Sequence, residues 1–468
     1  MTYDLIAIGG GPAGEKAAAA AAYFGKRVAL IERAPEGPGG STVHTGTLPS
    51  KTLRETALYL TGFRSRQLYS RVSFDFNTRD TSVADLMCRL PQVRDTQTEQ
   101  IRQNLERHHI ELISGTAVFE DPTHVRVGDR VLEASHFIIA TGSGPRRPPG
   151  FDFSDPGVFD SDTLLRLEQM PKRLAVIGGG VIGSEYACVF AALGVQIEII
   201  ESQSRVLGFL DEEISDAIMA SMRKTGIVLN LSDGVERLAR EQGRLVLTLK
   251  SGARMEVDQV LVSAGRTGNT REMGLEAVGV KLDDRGLVIV DEDFRTNVPN
   301  IFAAGDVIGR PALASASKEQ GRMAVAKMFG LEVPQRDWST MASGIYTIPE
   351  ACCCGPTEEE LKRDGVPYVV GRAHMRHNAR GQIIGDTDGF VKLIFHRQTK
   401  KLLATHLICE RATELIHVGQ AVMRLGGGID YFVESVMTFP SLSVAYKYAA
   451  YDALGELSRG GDRPRPMG

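Results

Sequence analysis

The hydrophobic pattern near the start of the chain alternates short apolar runs with a small-residue helical stretch. Tyr3 to Ile8 is an apolar run of strand length, an Ala-rich stretch extends to about Phe24, and a second apolar run covers Arg27 to Ile31. Between the first run and the helix, the sequence reads Gly9-Gly10-Gly11-Pro12-Ala13-Gly14. This order predicts a βαβ unit with two parallel strands and a glycine-rich first turn.

The glycines of this turn have the spacing that a dinucleotide needs. Gly9 allows a tight turn, Gly11 lets the backbone approach a pyrophosphate, and Gly14 lets helix and strand pack closely. The helix N-terminus offers free N–H groups and a partial positive charge to the phosphates. Glu32 follows Gly14 by 18 residues, where an acid binds a ribose. The alternative is a purely structural turn.

The same pattern recurs about 170 residues later. Arg173 to Ile177 is strand-like, Gly178 to Gly183 repeats the glycine spacing, and Ser184 to Leu193 is helical. A second strand from Gln196 to Ile200 ends before Glu201. Two such units predict two dinucleotide sites, as in a flavoprotein with a nicotinamide partner. The pattern alone does not say which site takes which cofactor.

After about Asp337 the pattern changes to strands followed by helices, which predicts an antiparallel sheet covered by helices. Strand-like runs lie near Ile345 and over Tyr368–Val370, Phe390–Phe395 and Leu402–Ile408, and helical stretches begin at Ala412 and Leu442.

Three consecutive cysteines, Cys352, Cys353 and Cys354, fall on a predicted strand of this region. Successive strand residues point to opposite faces, so a disulfide between neighbours is not expected. Buried small side chains are the first interpretation, and a replacement redox group is the second.

Composition and charge narrow the function. A chain of 468 residues is too long for one hydrophobic core and predicts two to four domains. A net charge of -4 gives no electrostatic case for nucleic acid or an anionic membrane. The six cysteines form no CxxC and no zinc spacing, and no apolar run approaches the ~20 residues of a membrane span. The N-terminus shows no signal-peptide pattern, so we expect a reducing, cytoplasmic location and no metal.

The segment from Gly39 to Lys51, GGSTVHTGTLPSK, resembles the active-site segment of the FAD-dependent pyridine-nucleotide disulfide oxidoreductases. In those families two cysteines precede the Pro-Ser-Lys, at positions that match Thr42 and Thr47 here. A threonine hydroxyl cannot cycle between dithiol and disulfide. The resemblance therefore implies a flavoenzyme that moves hydrides without disulfide chemistry.

The base that disulfide reductases of this type donate across the dimer is also missing. In the family it belongs to a C-terminal pattern with a histidine before a proline and a glutamate five residues after that histidine, and the matching stretch here is Thr438 to Val444. Phe439 stands at the histidine position and Val444 at the glutamate position, and neither side chain transfers protons. The thiols and their base have been lost together.

Within the superfamily the chain resembles the soluble, FAD-dependent (Si-specific) pyridine nucleotide transhydrogenases from Tyr3 to about Leu457. That group typically keeps the first cysteine and the C-terminal glutamate, so Thr42 and Val444 are departures from it. The most specific matches are the stretches His44–Lys51, Gly265–Thr270, Gly344–Glu350 and His417–Ala421.

The resemblance implies a site. Lys51 and Glu185 pair beside flavin N5, and His44 either orders the segment or touches the flavin edge, with a purely structural histidine as the alternative. The first unit binds FAD, completed late in the chain by Asp306 on the flavin ribitol. The residues implied at the FAD site are Gly9, Gly11, Gly14, Glu32, Arg33, Gly40, Ser41, Thr42, Thr47, Ala117, Thr141, Gly142, Asp306, Leu313 and Ala314, and those at the nicotinamide nucleotide site are Gly178, Gly180, Ile182, Gly183, Glu201, Gly265 and Arg266.

The implied fold class is α/β, with two Rossmann-like dinucleotide-binding domains and a C-terminal α+β dimerisation domain of a homodimer. The NAD(P)-binding domain interrupts the FAD-binding domain. The expected boundaries are 1–150 and 271–338 for the FAD-binding domain, 151–270 for the NAD(P)-binding domain, 339–457 for the interface domain, and 458–468 for a disordered tail.

Three functions follow from the resemblance. The first is FAD-dependent hydride transfer between NAD(H) and NADP(H), and the second is an NAD(P)H dehydrogenase that reduces a quinone or another small acceptor. The third, a catalytically silent FAD-binding dimer, fits poorly with the retained Lys51 and Glu185.

Glu201 bears on the choice of nucleotide, because an acid here favours the free ribose hydroxyl of NAD. At ~4 Å and an effective dielectric near 20, each pair of like unit charges costs roughly 4 kcal/mol, which disfavours the NADP phosphate. Arg205 is placed to offset part of that cost. We therefore expect a lower Michaelis constant for NADH than for NADPH.

Overall fold

The computed structural model describes residues 2–62, 81–309, 311–332, 334 and 337–458. Across these residues three large sheets form a mixed α/β architecture. Two of the sheets have parallel cores and follow the two predicted βαβ units. The third is antiparallel and lies in the C-terminal part of the chain.

The first sheet collects strands from distant parts of the chain. Tyr3–Ile8 runs parallel to Val28–Glu32 on one side and to Arg130–Ile139 on the other. The late strand Ile301–Ala303 also pairs with Arg130–Ile139. Such a return to the sheet is what a discontinuous domain requires, although the domain boundaries stay predictions. The remaining strands are Glu111–Ser114, Ala117–Asp121 and His124–Val127.

The second sheet repeats this arrangement around the second glycine-rich turn. Arg173–Ile177 lies between Gln196–Glu201 and Gln259–Val262, all parallel. The flanking strands are Val228–Leu231 and Val158–Phe159, and a separate antiparallel layer consists of Val235–Glu241, Arg244–Leu249 and Arg254–Val257. After a polar first residue, Arg173–Ile177 and Gln259–Val262 are apolar and mostly buried, as is usual for parallel sheets.

The third sheet is antiparallel, as the sequence predicts. In order across the sheet, its strands are Ala342–Ile345, Glu350–Cys354, Leu402–Cys409, Phe390–His396 and Tyr368–His374. The two-stranded link Ser143–Pro145 with Arg266–Gly268 joins the connections that leave the first two sheets.

Helices cover the sheets, and those after the two glycine-rich turns and at Ala412 begin close to where the sequence predicts them. The long ones are Pro12–Tyr23, Thr47–Thr61, Leu90–Arg107, Val181–Ala192, Glu212–Lys224, Ala314–Met328, Ala412–Arg424 and Val444–Ser458, and the short ones are Gly40–His44, Val83–Met87, Glu358–Arg363, Ala379–Ile384 and Ile429–Glu434.

The last helix corrects two predictions. It begins at Val444, two residues after the expected Leu442, because the preceding segment is a turn. Ser458 is its final residue and not the first residue of a disordered tail, and the rest of that predicted tail lies outside the described residues. No helix in the described part of the chain is long and apolar enough to cross a membrane.

A buried ion cluster joins the second sheet's helices to the C-terminal sheet. Lys392 has a fully buried side chain, and its Nζ lies 2.8 Å and 2.9 Å from the two carboxylate oxygens of Asp211. Glu358 Oε2 lies 2.8 Å from the same ammonium. Asp211 is also the N-cap of Glu212–Lys224, so one carboxylate fixes a helix end and an interdomain contact together.

Candidate active site

A single cleft of about 1980 Å³ runs between the carboxyl ends of the two parallel sheets. Ligands of open α/β sheets bind at this edge. The volume is about twice the upper end of the ~300–1,000 Å³ range of ordinary ligand sites, so the cleft has room for two dinucleotides.

Two glycines of the first glycine-rich turn, Gly9 and Gly14, are needed for the reasons the sequence suggests. Gly9 has φ +104, and a Cβ there would lie 2.5 Å from the carbonyl oxygen of Ala140. A Cβ on Gly14 would overlap the carbonyl oxygen of Gly9. Gly14 therefore serves helix–strand packing and does not line the cleft, whereas Gly9 and Gly11 do.

The second turn has the same geometry. Gly178 has φ +100, and a Cβ there would lie 2.6 Å from the carbonyl oxygen of Ser263. Gly183 packs against Gly178 in the way that Gly14 packs against Gly9. Gly178, Gly180 and Ile182 line the cleft.

Both turns leave helix amides free for a phosphate. The N-caps of Pro12–Tyr23 and Val181–Ala192 are Gly11 and Gly180, and neither helix start receives a side-chain capping bond. The first N–H groups of a helix have no intrahelical partner, and they attract anions. The cleft thus fits two pyrophosphates, one at each turn.

Each turn is paired with one acid. Glu32 accepts hydrogen bonds from the Gly10 and Ala34 amides, both at 2.8 Å. Glu201 accepts from the Gly179 amide at 2.6 Å and from the Gln203 amide at 2.8 Å. These bonds hold both carboxylates at the cleft with oxygen lone pairs left for a ribose.

Lys51 and Glu185 form an ion pair inside the cleft. Lys51 Nζ lies 2.7 Å from Glu185 Oε2, and the two side chains are 24% and 6% exposed. The other carboxylate oxygen, Oε1, accepts a hydrogen bond from the Tyr346 amide at 2.9 Å. The Tyr346 ring lies under the ammonium, 4.7 Å from Nζ, which adds a cation–π contact. The predicted pair thus exists, with a third partner.

Thr42 and Thr47 line the same cleft as this pair, on Gly40–His44 and at the start of Thr47–Thr61. All six cysteines are free thiols, and of these Cys352 alone reaches the cleft lining of the described residues. Burial raises the pKa of Cys353 to about 11 and of Cys354 to about 12, and it raises that of Cys352 as well. Thiols that stay protonated at neutral pH are unreactive, so packing is the better interpretation of the three cysteines.

His44 has a mainly structural position. Its Nε2 lies 3.0 Å from the carbonyl oxygen of Gly37, and the ring is buried. Its Nδ1 and the hydroxyl of Thr141 are buried and have no partner among the described residues. Both residues line the cleft, and such unsatisfied groups fit a polar cofactor beside them.

Asp306 lines the cleft three residues after the strand Ile301–Ala303. Gly305, the residue before it, has φ +84. The Asp306 carboxylate accepts a hydrogen bond from Ser143 at 3.2 Å, and Arg266 Nε donates to that Ser143 oxygen at 2.8 Å. Residues predicted for the two cofactors are therefore connected through Ser143.

The cleft brings together all the predicted site residues except Gly14 and Gly183. On the FAD side these include Arg33, Gly40, Ser41, Ala117, Gly142, Leu313 and Ala314, and on the nicotinamide side Gly265.

Three of the cleft residues without a predicted role are Tyr346, Asp162 and Asp233. Tyr346 stands in a stretch that carried the resemblance, so that motif was its signal. Asp162, whose pKa is raised by burial, and Asp233 follow no motif, and only folding brings them to the cleft.

Phe439 and Val444 are not among the cleft residues of their own chain. Phe439 is 71% exposed, and Val444 begins the last helix.

Family models match almost the whole chain. Residues 3–321 match the model described as pyridine nucleotide-disulphide oxidoreductase, and residues 341–450 match its dimerisation domain. The soluble pyridine nucleotide transhydrogenase of Mycobacterium bovis BCG Pasteur is 41% identical over 461 residues, covering 97% of this chain and 98% of that one. That of Pseudomonas putida W619 is 40% identical, covering 97% and 99%.

Solved structures with a similar fold support the family match. The HOCl-induced flavoprotein disulfide reductase RclA from Escherichia coli has a TM-score of 0.86 at 27% identity, covering 96% of this chain and 99% of that one. LpdA from Mycobacterium tuberculosis has a TM-score of 0.87 at 27% identity, with the same coverage.

Proposed function

The chain belongs to the pyridine nucleotide-disulphide oxidoreductase family, and on that premise we propose that it transfers hydride between pyridine nucleotides through FAD, without a redox disulfide. NAD(H) and NADP(H) are its substrates. The first glycine-rich turn, with Glu32 and Asp306, would hold FAD, and FAD would supply the hydride chemistry. The protein supplies binding, orientation and electrostatics.

One observation carries this proposal: the Lys51–Glu185 pair is kept at 2.7 Å in the cleft, while threonines occupy the neighbouring positions 42 and 47. A fixed ammonium in a partly buried cleft stabilises negative charge that develops on a reduced flavin. Glu185 and the ring of Tyr346 hold that ammonium in one place. This arrangement supports flavin reduction, and among the described residues the cleft lining contains one cysteine, Cys352, and no thiol pair.

The remaining residues bind and orient. The helix N-termini after Gly11 and Gly180 take the two pyrophosphates, and Glu32 and Glu201 take ribose hydroxyls. Asp306 supports the FAD side from its position at the end of Ile301–Ala303. Proton transfer is not needed, because hydride exchange between nicotinamides releases and consumes no proton at a side chain.

The enzyme acts as a homodimer through the C-terminal residues that match the dimerisation domain. Exposed aromatic side chains in this region fit a surface that a second subunit covers. They are Tyr431, Phe439, Tyr448 and Tyr451. We place the enzyme in the cytoplasm, where six free thiols suit the reducing conditions.

A steady-state assay tests the function. The FAD-loaded protein is given NADPH or NADH with thio-NAD⁺ as the acceptor, and thio-NADH formation is followed by absorbance. Dihydrolipoamide with NAD⁺ and glutathione disulfide with NADPH serve as disulfide-type controls. The proposal predicts turnover with thio-NAD⁺ and none in either control. Turnover of dihydrolipoamide would contradict it.

A further inference from the structure

Two acidic residues lie at neighbouring strand ends, where the second nucleotide's ribose is expected. Glu201 ends Gln196–Glu201, and Asp233 follows the neighbouring parallel strand Val228–Leu231. The Asp233 amide donates to the Glu201 carbonyl oxygen at 3.1 Å, which fixes the two strand ends against each other. Both residues line the cleft.

The Asp233 carboxylate is held in its charged form. It accepts hydrogen bonds from the Gly234 amide at 2.8 Å and from the Ser251 hydroxyl at 2.6 Å. These bonds, that of Ser251 first, lower the pKa of Asp233. At neutral pH the rim of the subsite therefore carries two negative charges, one from Glu201 and one from Asp233.

Arg205, the cation expected to offset these charges, is already engaged. Its guanidinium bonds to Glu212 and lies 3.7 Å from Asp216, both on Glu212–Lys224. Lys250 runs beside Gly234. Neither Arg205 nor Lys250 is among the cleft-lining side chains of the described residues.

We propose that Asp233 and the Arg205–Glu212–Asp216 ion cluster are specificity determinants that, together with Glu201, make this subsite select NAD(H) over NADP(H). A ribose 2′-hydroxyl donates a hydrogen bond to a carboxylate. A 2′-phosphate only accepts at neutral pH, and it is repelled by both acids. Arg205 cannot turn to the phosphate without leaving its acidic partners. The inference rests on the proposed function, and it implies that weak NADP(H) binding limits exchange between the two nucleotides.

Binding probes without a nicotinamide test this separately from catalysis. Isothermal titration calorimetry on the FAD-loaded protein compares ADP-ribose with 2′-phospho-ADP-ribose, neither of which can be turned over. The wild type binds ADP-ribose about tenfold or more tightly than the phosphorylated probe, and the ratio falls as salt rises.

Three variants and one control variant locate the cause of the selectivity. Asp233→Asn and Glu212→Gln each lower the ratio of the two affinities severalfold, because each strengthens binding of the phosphorylated probe. Adding Arg205→Met to Glu212→Gln cancels that gain, because the released guanidinium is its source. Glu198→Gln removes the same charge from the strand that carries Glu201, but at a residue outside the cleft lining, and it leaves the ratio unchanged.

Equal affinities of the wild type for the two probes would overturn the specificity inference and leave the proposed function standing. An unchanged ratio of the two affinities in both Asp233→Asn and Glu212→Gln would also overturn the specificity inference. If neither probe binds the wild type, the nucleotide site itself is wrong, and the proposed function fails with it.

Discussion

Lys51 and Glu185 are 134 residues apart in the sequence, and their side chains meet at 2.7 Å in the cleft between the two parallel sheets. The pair ties the helix that follows the threonine segment to the helix that follows the second glycine-rich turn. Tyr346 contacts both partners from the C-terminal sheet. Three separate parts of the fold thus converge on one ammonium group.

Removing this charge should slow flavin reduction. We expect Lys51→Met to lower the rate of flavin reduction by NADH roughly 10²-fold, because a preorganised charge is lost. The flavin midpoint potential should become more negative in the same variant. Lys51→Arg keeps a cation and is the matched control, with a much smaller loss. Stopped-flow absorbance measures the rate, and a potentiometric titration measures the midpoint potential. A wild-type rate and potential in Lys51→Met would refute an electrostatic role of Lys51.

Restoring the cysteines should not restore disulfide reduction. In the double variant Thr42→Cys with Thr47→Cys, we expect at most a new thiol pair, detectable by thiol titration before and after reduction. Turnover of dihydrolipoamide should stay at background, because Phe439 and Val444 offer no proton acceptor. Adding Phe439→His and Val444→Glu gives the informative comparison. Robust turnover by the cysteine variant alone would show that the missing base is irrelevant.

The buried Lys392–Asp211 pair should matter for stability. Lys392→Met leaves the Asp211 carboxylate buried without its ammonium, and such a loss costs ~3–5 kcal/mol in free energy of unfolding. Lys224→Met breaks an exposed pair with Asp388 that joins the same helix to the C-terminal part, at a cost of ~1 kcal/mol or less. Urea unfolding followed by flavin absorbance and circular dichroism compares the two. Similar small losses in both variants would contradict the argument.

Asp386 should make stability depend on pH. Burial raises its pKa to about 6, above the usual value of about 3.9 in an unfolded chain. Its contribution to stability is complete below pH ~4 and is lost as pH rises through 6. Asp386→Asn stays neutral, so it should be more stable than the wild type at pH 7.5 by roughly 2 kcal/mol, and no more stable near pH 4. Urea unfolding at both pH values measures this, with Asp129→Asn, in an exposed turn of the first sheet, as the control. An equal effect at both pH values would refute it.

Much of the fold followed from local patterns. The strand Tyr3–Ile8 and the helix after Gly11 were predictable because a buried parallel strand is a continuous apolar run and a dinucleotide turn has fixed glycine spacing. The end of the last helix could not be predicted in this way. An apolar run predicts that a helix exists but says little about the residue at which its last turn frays.

The site was predictable only where a motif marked it. Lys51 and Glu185 came from motif positions, whereas the contacts of Tyr346, Asp233 and the Arg205–Glu212 pair depend on loops that tertiary packing brings together. No local periodicity encodes such contacts. Arg205 shows the difference most clearly: the sequence offers it as a counter-charge for a phosphate, and the structure gives it two acidic partners.

The central claim is that hydride leaves the reduced flavin for a second nicotinamide. Anaerobic double-mixing stopped-flow tests it on the FAD-loaded protein: the flavin is reduced with one equivalent of NADH and then mixed with thio-NAD⁺ or with a soluble quinone. We predict that thio-NAD⁺ reoxidises the flavin faster than the quinone, with thio-NADH formed at the rate of flavin reoxidation. Reoxidation by the quinone alone, with no thio-NADH formed, would contradict the account.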